Sequence, residues 1–403
     1  MSLNNTPSSE RIRIGFFGMR NAGKSSLVNS FAAQAVSLVS DVKGTTTDPV
    51  KKAMELLPLG PVLIIDTPGI DDEGALGKLR IEKTLETLKH SDLAVLVIDS
   101  EIGQSNADTD LISLFKKEKV PYLIVYNKCD KSNYTWPLSD NEIEVSALNG
   151  TNIDKLKEKI IALVTGVKKQ TSLLDDILSE GDTVVLVTPI DEAAPKGRLI
   201  LPQQLVLRNI LDNNCTALVC KETQLKNTLE SLKSTPGLVI TDSQVFSYVD
   251  SVLPRNIRLT SFSVLMARYK GDLKELVKGA ATLKELTDGD KILISEGCTH
   301  HRQCNDIGTV KLPAWIRKYT DKKIDFDFSS GSDFPGNLKE YTLVVHCGGC
   351  MLSDKEMKSR IDQCKNQNIP IVNYGVAIAM MNGILERSLE IFPHELGIIN
   401  SGD

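Results

Sequence analysis

Apolar residues in this chain gather into short continuous runs, and between the runs they recur at helical spacing. Runs that are apolar throughout suit strands covered on both faces, as in parallel sheets. The first series of runs is 11–17, 62–65, 93–99 and 122–126, followed by an amphipathic helix over 153–164. A polar stretch, 166–172, reads as a linker. A second series predicts strands at 182–187, 215–219 and 237–240, with helices over 203–212, 223–232 and 244–253. A third predicts strands at 291–295, 324–328, 341–346 and 369–374, with helices around 314–319, over 354–366 and over 376–389. The expected fold is therefore α/β throughout: an N-terminal domain at 1–168, a middle domain at 169–260 and a C-terminal domain at 261–403. The last two should be parallel-sheet, Rossmann-like layers.

Residues 1–10 are polar, with no apolar core of the kind a signal peptide needs, and no run approaches the eighteen or so apolar residues of a membrane span. The expectation is a cytoplasmic protein without a membrane partner. With 47 Lys and Arg against 52 Asp and Glu, the net charge of -5 argues against a nucleic-acid partner, which needs clustered basic residues. In a reducing compartment the eight cysteines point to metal or redox chemistry rather than disulfides. Cys129, Cys215, Cys220 and Cys364 stand singly or in apolar runs and read as small buried hydrophobes.

Chemistry enters first at Gly18-Met19-Arg20-Asn21-Ala22-Gly23-Lys24-Ser25, which directly follows the first strand. Glycines let backbone N–H groups turn around phosphates, and the helix that opens at Ser26 adds its positive N-terminal end. Lys24 is placed to reach the β and γ phosphates, and the Ser25 hydroxyl to ligate Mg²⁺. Asp66-Thr67-Pro68-Gly69 ends the next strand, offering a carboxylate toward Mg²⁺ and a Gly69 N–H toward the γ-phosphate. Asn127-Lys128-Cys129-Asp130 selects the base. The Asp130 carboxylate can accept from guanine N1–H and its exocyclic amine, whereas adenine offers an acceptor at N1. Ser146 and Ala147 follow another strand and supply a backbone N–H for guanine O6.

These motifs, in this order over residues 11–168, resemble the GTPases of the translation-factor class, above all the tRNA-modifying and ribosome-assembly group. The resemblance aligns Thr46 of Gly44-Thr45-Thr46-Thr47-Asp48 with the switch threonine that closes over Mg²⁺ and the γ-phosphate. It makes Lys24, Thr46, Asp66 and Gly69 the residues that act on GTP. The family's water-orienting glutamine is replaced, since Gly69 is followed by Ile70, which implies slow hydrolysis to GDP. Asn21 matches the asparagine that helps bind K⁺ in potassium-activated relatives, where the cation offsets phosphate charge.

In the C-terminal domain, Cys298-Thr299-His300 and His346-Cys347-Gly348-Gly349-Cys350 each end a predicted strand, where open α/β sheets gather their ligands. Three thiolates and an imidazole suit a structural zinc. Cys347 and Cys350 alone suit a redox dithiol. Three thiolates with an exchangeable fourth position suit an iron-sulfur cluster. Ligand chemistry ranks zinc and cluster together.

The whole chain, with this constellation behind a GTPase domain, resembles the maturation GTPases of the FeFe hydrogenases. That resemblance implies a 4Fe-4S cluster on Cys298, Cys347 and Cys350, with His300 and His346 as neighbours or a fourth ligand. It further implies a homodimer that receives a transient diiron subcluster precursor, built with two radical-SAM maturases, and delivers it to FeFe hydrogenase. The competing readings are a tRNA-modifying or ribosome-assembly GTPase and a GTPase switch with a structural zinc.

Overall fold

The computed structural model describes residues 10–33, 38–42, 49–69, 84–131, 138–167, 173–190, 199–297, 307–331, 333–349 and 352–400. Two compact units divide the chain, Met1–Gln170 and Thr171–Asp403. Each is α/β, and each is organised by parallel strands.

The first unit holds one sheet of β1 (Ile12–Phe17), β2 (Leu38–Val42), β3 (Val50–Leu56), β4 (Gly60–Asp66), β5 (Leu93–Asp99), β6 (Tyr122–Asn127) and β7 (Glu142–Glu144), in the order β2-β3-β4-β1-β5-β6-β7. The central strands pair in parallel. All seven residues of β5 are buried, which is what its unbroken apolar run required. The antiparallel edge formed by β2 and β3 has no counterpart among the predicted strands. The sequence of β3, Val-Lys-Lys-Ala-Met-Glu-Leu, buries only Met54 and Leu56, toward its end, so it carries a mixed pattern with no unbroken apolar run to mark it as a strand.

The second unit contains two four-stranded, wholly parallel sheets. The first is built from β8 (Thr183–Val187), β9 (Thr216–Cys220), β10 (Leu238–Thr241) and β11 (Leu259–Ser261), in the order β11-β10-β8-β9. The other is built from β12 (Lys291–Glu296), β13 (Asp325–Ser330), β14 (Leu343–His346) and β15 (Ile371–Asn373), in the order β13-β12-β14-β15. One hydrophobic core runs through the unit, from Leu173 to Ile399. Cys215, Cys220 and Cys364 are buried in it, and burial pushes the Cys364 thiol up to about 12, so it behaves as an apolar side chain.

The helix expected over 376–389 is two helices, Tyr374–Met381 and Leu385–Leu389. Gly383 adopts a φ of 68°, and its N–H and that of Ile384 bond back to Met380 and Ala379, a left-handed helix stop that glycine accepts without strain. Among the described residues no helix is long and apolar enough to cross a membrane.

Helix Leu273–Ala281 packs directly on β15. A Cβ on Gly279 would lie 2.0 Å from the carbonyl oxygen of Ile371 and 2.4 Å from its carbon. Alanine in place of a mid-helix glycine gains about 1 kcal/mol of helix propensity, but these neighbours are backbone and cannot swing aside. Gly279→Ala should therefore destabilise the second unit by about 1–3 kcal/mol, the usual cost of overpacking. Urea unfolding measures this, and a variant as stable as its parent would contradict the close contact.

Candidate functional site

In the first unit the nucleotide motifs meet where parallel strands end. Phe16 pairs with Asp66 across β1 and β4, and Asp99 pairs with Asn127 across β5 and β6, so the loops after four strands open on one edge. Gly18 has a φ of 139°, and a Cβ there would meet the Val97 carbonyl oxygen at 2.2 Å, so only glycine fits at the start of the loop. Gly23 has a φ of 84°, and its missing side chain leaves room for Asn127 Nδ2, which would stand 2.3 Å from a Cβ.

Asn127 clamps loops. Its Nδ2 donates to the Ala22 carbonyl at 3.0 Å, and its Oδ1 accepts from Ala147 N–H at 3.0 Å. Asp130 is exposed, and its Oδ1 accepts from the Ser146 hydroxyl at 2.5 Å, which orients the carboxylate. Lys128 has a positive φ of 67° and pairs with Asp99 at 2.5 Å. Asp99 had no assigned role in the sequence reading; its signal was a carboxylate ending a fully buried strand.

The phosphate end is equally ordered. The Lys24 ammonium donates to the carbonyls of Gly18 and Met19 at 3.0 Å each, closing the loop over its own backbone. Ser25 Oγ donates to Asp66 Oδ2 at 2.6 Å, while Asp66 Oδ1 is buried without a hydrogen-bond partner among the described residues. Burial raises the Asp66 pKa against the Ser25 hydrogen bond and the charges of Lys24 and Lys52. A buried carboxylate oxygen left unpaired beside a serine hydroxyl suits a hard divalent cation such as Mg²⁺. Gly69 lies close to the phosphate loop, since its Cβ would stand 2.9 Å from Arg20 Cα. Ser26 and Asn21 are exposed at the same loop and helix start, Asn21 with a φ of 65°. Thr46, with Thr45, Thr47 and Ile70, lies outside the described residues.

The described part of the candidate metal motifs, His346 to Gly349, lies at the end of β14 in the third sheet. From β12 the chain crosses to β13 on one side and then returns to β14 on the other, so the carboxyl ends of β12 and β14 form a topological switch point. Ser295 pairs with His346 there, and Cys347 N–H donates to the Ser295 carbonyl at 2.9 Å. The Cys347 sulfur in turn accepts from Gly297 N–H at 3.0 Å and, more weakly, from Gly349 N–H at 3.4 Å. Backbone donors aimed at a sulfur favour its thiolate form, the form that ligates metals. Gly297 and Gly349 immediately precede Cys298 and Cys350 in the chain. Those two cysteines, with His300, lie outside the described residues, and within the described residues no three His, Cys, Asp or Glu side chains gather as metal ligands.

His346 is fully buried. Its Nε2 stands 2.9 Å from Arg360 Nη1, and its Nδ1 stands 2.7 Å from the Cys347 carbonyl oxygen. Burial, aided by the Arg360 charge, lowers its pKa to about 4, so the ring is neutral. Arg360 was missed from sequence. Its signal was periodicity: the buried residues of helix Asp354–Asn366 are Met357, Arg360, Ile361 and Cys364, which puts a guanidinium on the core-facing stripe.

Comparison with known proteins follows the same division. A 50S ribosome-binding GTPase family matches residues 13–128. The GTPase Der of Wolinella succinogenes is 34% identical over 187 residues, 42% of this chain and 40% of that protein. The tRNA modification GTPase MnmE of Thermosipho melanesiensis is 34% identical over 151 residues, 37% of this chain and 34% of that protein. The chain thus spans well under half the length of these relatives. A crystal structure of a probable GTP-binding protein engB matches 38% of this chain and 99% of its own, at 22% identity and a TM-score of 0.31. The hydrogen maturase F dimerization domain matches residues 173–271 and the hydrogen maturase F tetramerization domain residues 274–391, together more than half of the chain. With a GTPase domain ahead of both, the chain belongs to the hydrogen maturase F family, HydF.

Proposed function

We propose that this protein is a GTP-hydrolysing carrier that holds a 4Fe-4S cluster and delivers a diiron subcluster precursor to FeFe hydrogenase. The observation that carries the reading is the coexistence, in one chain, of the Asn127 to Asp130 base-selecting loop with a Cys347 sulfur cradled by two backbone N–H groups at a sheet switch point. Family membership supports the cargo and its sources: two radical-SAM maturases upstream, the hydrogenase downstream. A second copy of the chain is the expected partner through the middle domain at 169–260, in keeping with the dimerization-domain match over 173–271.

Within the nucleotide site, Lys24 neutralises β and γ phosphate charge, and Ser25 with Asp66 holds Mg²⁺. Bound there, Mg²⁺ supplies charge stabilisation for phosphoryl transfer. Asn127 keeps the phosphate loop and the Ser146-Ala147 loop in register, so base recognition by Asp130 and phosphate binding are coupled. Thr46 is the proposed switch residue, and Asn21 is the proposed K⁺ ligand. Cys298, Cys347 and Cys350 are the proposed iron ligands, leaving a fourth position open to exchange.

Three outcomes test the proposal. Asp130→Asn replaces an acceptor by an amide that cannot pair with both guanine N–H groups, so GTP affinity should fall by at least about tenfold. The same variant should bind xanthosine triphosphate better than its parent does; unchanged GTP affinity would remove the role of Asp130. GTP hydrolysis should be slow and faster in potassium than in sodium salts, and equal rates would remove the role given to Asn21. After anaerobic reconstitution the protein should carry iron and sulfide in equal amounts, with broad visible absorbance that Cys347→Ser largely abolishes. Bound zinc without sulfide would instead identify a structural zinc site.

A further inference from the structure

The pair formed by Arg360 and His346 performs a task that the ligand motif does not explain. Arg360 is 9% exposed, and its guanidinium donates to three acceptors on three segments: His346 Nε2 at 2.9 Å, Ser295 Oγ at 3.4 Å and the Gly331 carbonyl at 2.5 Å. Its carbon lies 5.0 Å from the centroid of the Phe334 ring, a cation–π distance. Ser295 also accepts from Ser329 Oγ at 3.0 Å. The network ties β12, β13 and β14 to the helix that follows the cysteine loop.

Arginine nitrogens only donate, so His346 Nε2 has to accept. The ring proton therefore resides on Nδ1, which donates to the Cys347 carbonyl. Turning the ring over would place carbon where each nitrogen now bonds and leave two buried polar partners unmatched, at about 1–3 kcal/mol each. Both nitrogens of the imidazole are thus committed, one to the helix and one to the backbone of the cysteine.

Resting on the cluster reading above, we propose that Arg360 is a positioning residue for the metal loop: it fixes His346 as the Nδ1–H tautomer, which makes that histidine a strut under Cys347 and withholds it from iron. The same arrangement puts a fixed positive charge near the Cys347 sulfur. Hydrogen-bonded outer partners commonly orient the residues that ligate a metal.

The test begins with metal-free protein labelled with ¹⁵N-histidine, observed by long-range proton–nitrogen correlation at neutral pH, with His346→Asn identifying the signals. A single Nδ1–H tautomer at His346 is expected; an Nε2–H tautomer or an imidazolium would overturn the proposal. Arg360→Met should lose the tautomer preference and, once reconstituted, release iron to a chelator several-fold faster. Arg360→Lys, which keeps a charged donor group but loses the planar fork, should fall between variant and parent. In reconstituted parent protein, pulsed electron paramagnetic resonance should show no strong iron–nitrogen coupling that His346→Asn removes, and such a coupling would make His346 a ligand and sink the inference. If the parent takes up no iron, the cluster reading fails, yet the tautomer measurement still decides what Arg360 does. Should Arg360→Met not fold, the two measurements on the parent decide alone.

Discussion

The parallel pairing of β12 with β14 is the constraint on which the surroundings of Cys347 depend. These strands are distant in sequence, with β13 and its crossover between them, and only their adjacency brings Gly297 within 3.0 Å of the Cys347 sulfur. The chain leaves the switch point in opposite directions, so the backbone N–H groups at the strand ends have no next strand to bond and turn toward the sulfur instead. The first unit applies the same geometry to phosphate, with β1 and β4 ending together at Phe16 and Asp66. In both units the chemistry is placed by strand ends rather than by any one loop.

Buried polar side chains then hold those loops. In the first unit Asn127 joins the Ala22 carbonyl to the Ala147 N–H; in the second, His346 joins Arg360 to the Cys347 carbonyl. Neither residue has to touch a ligand to matter. A buried polar group is costly unless every partner is present, so each of these side chains tolerates only one arrangement of the segments it spans. That is how a few hydrogen bonds, individually modest, impose a unique geometry on a flexible glycine loop.

The sequence was strongest as a guide where local pattern and tertiary environment agree. The fully apolar run 93–99 had to be a strand buried on both faces, and the glycines of the phosphate loop had to turn tightly. It was weakest where one residue type serves two purposes. The single helix expected over 376–389 breaks at the left-handed Gly383, and the break is hidden in sequence because the apolar stretch continues the helical period on both sides. Strand β3 escaped notice because Lys51 and Lys52 break its apolar pattern, while the pairing with β2 and β4 that makes it a strand is not local in sequence. Arg360 was legible as a charged residue on a buried stripe, but its partners come from β12, β14 and the turn after β13, which no periodicity reveals.

By itself, then, the sequence determined the class of each unit and singled out candidates for guanine, phosphate and metal binding, because those depend on residue chemistry and short spacing. It presented His346 as a candidate ligand, since a histidine beside a cysteine motif has the right donor atom. Only the tertiary structure decided how that atom is used. Burial removes water as an alternative partner, the arginine arrives from a separate helix, and the proton is left with one nitrogen on which to reside.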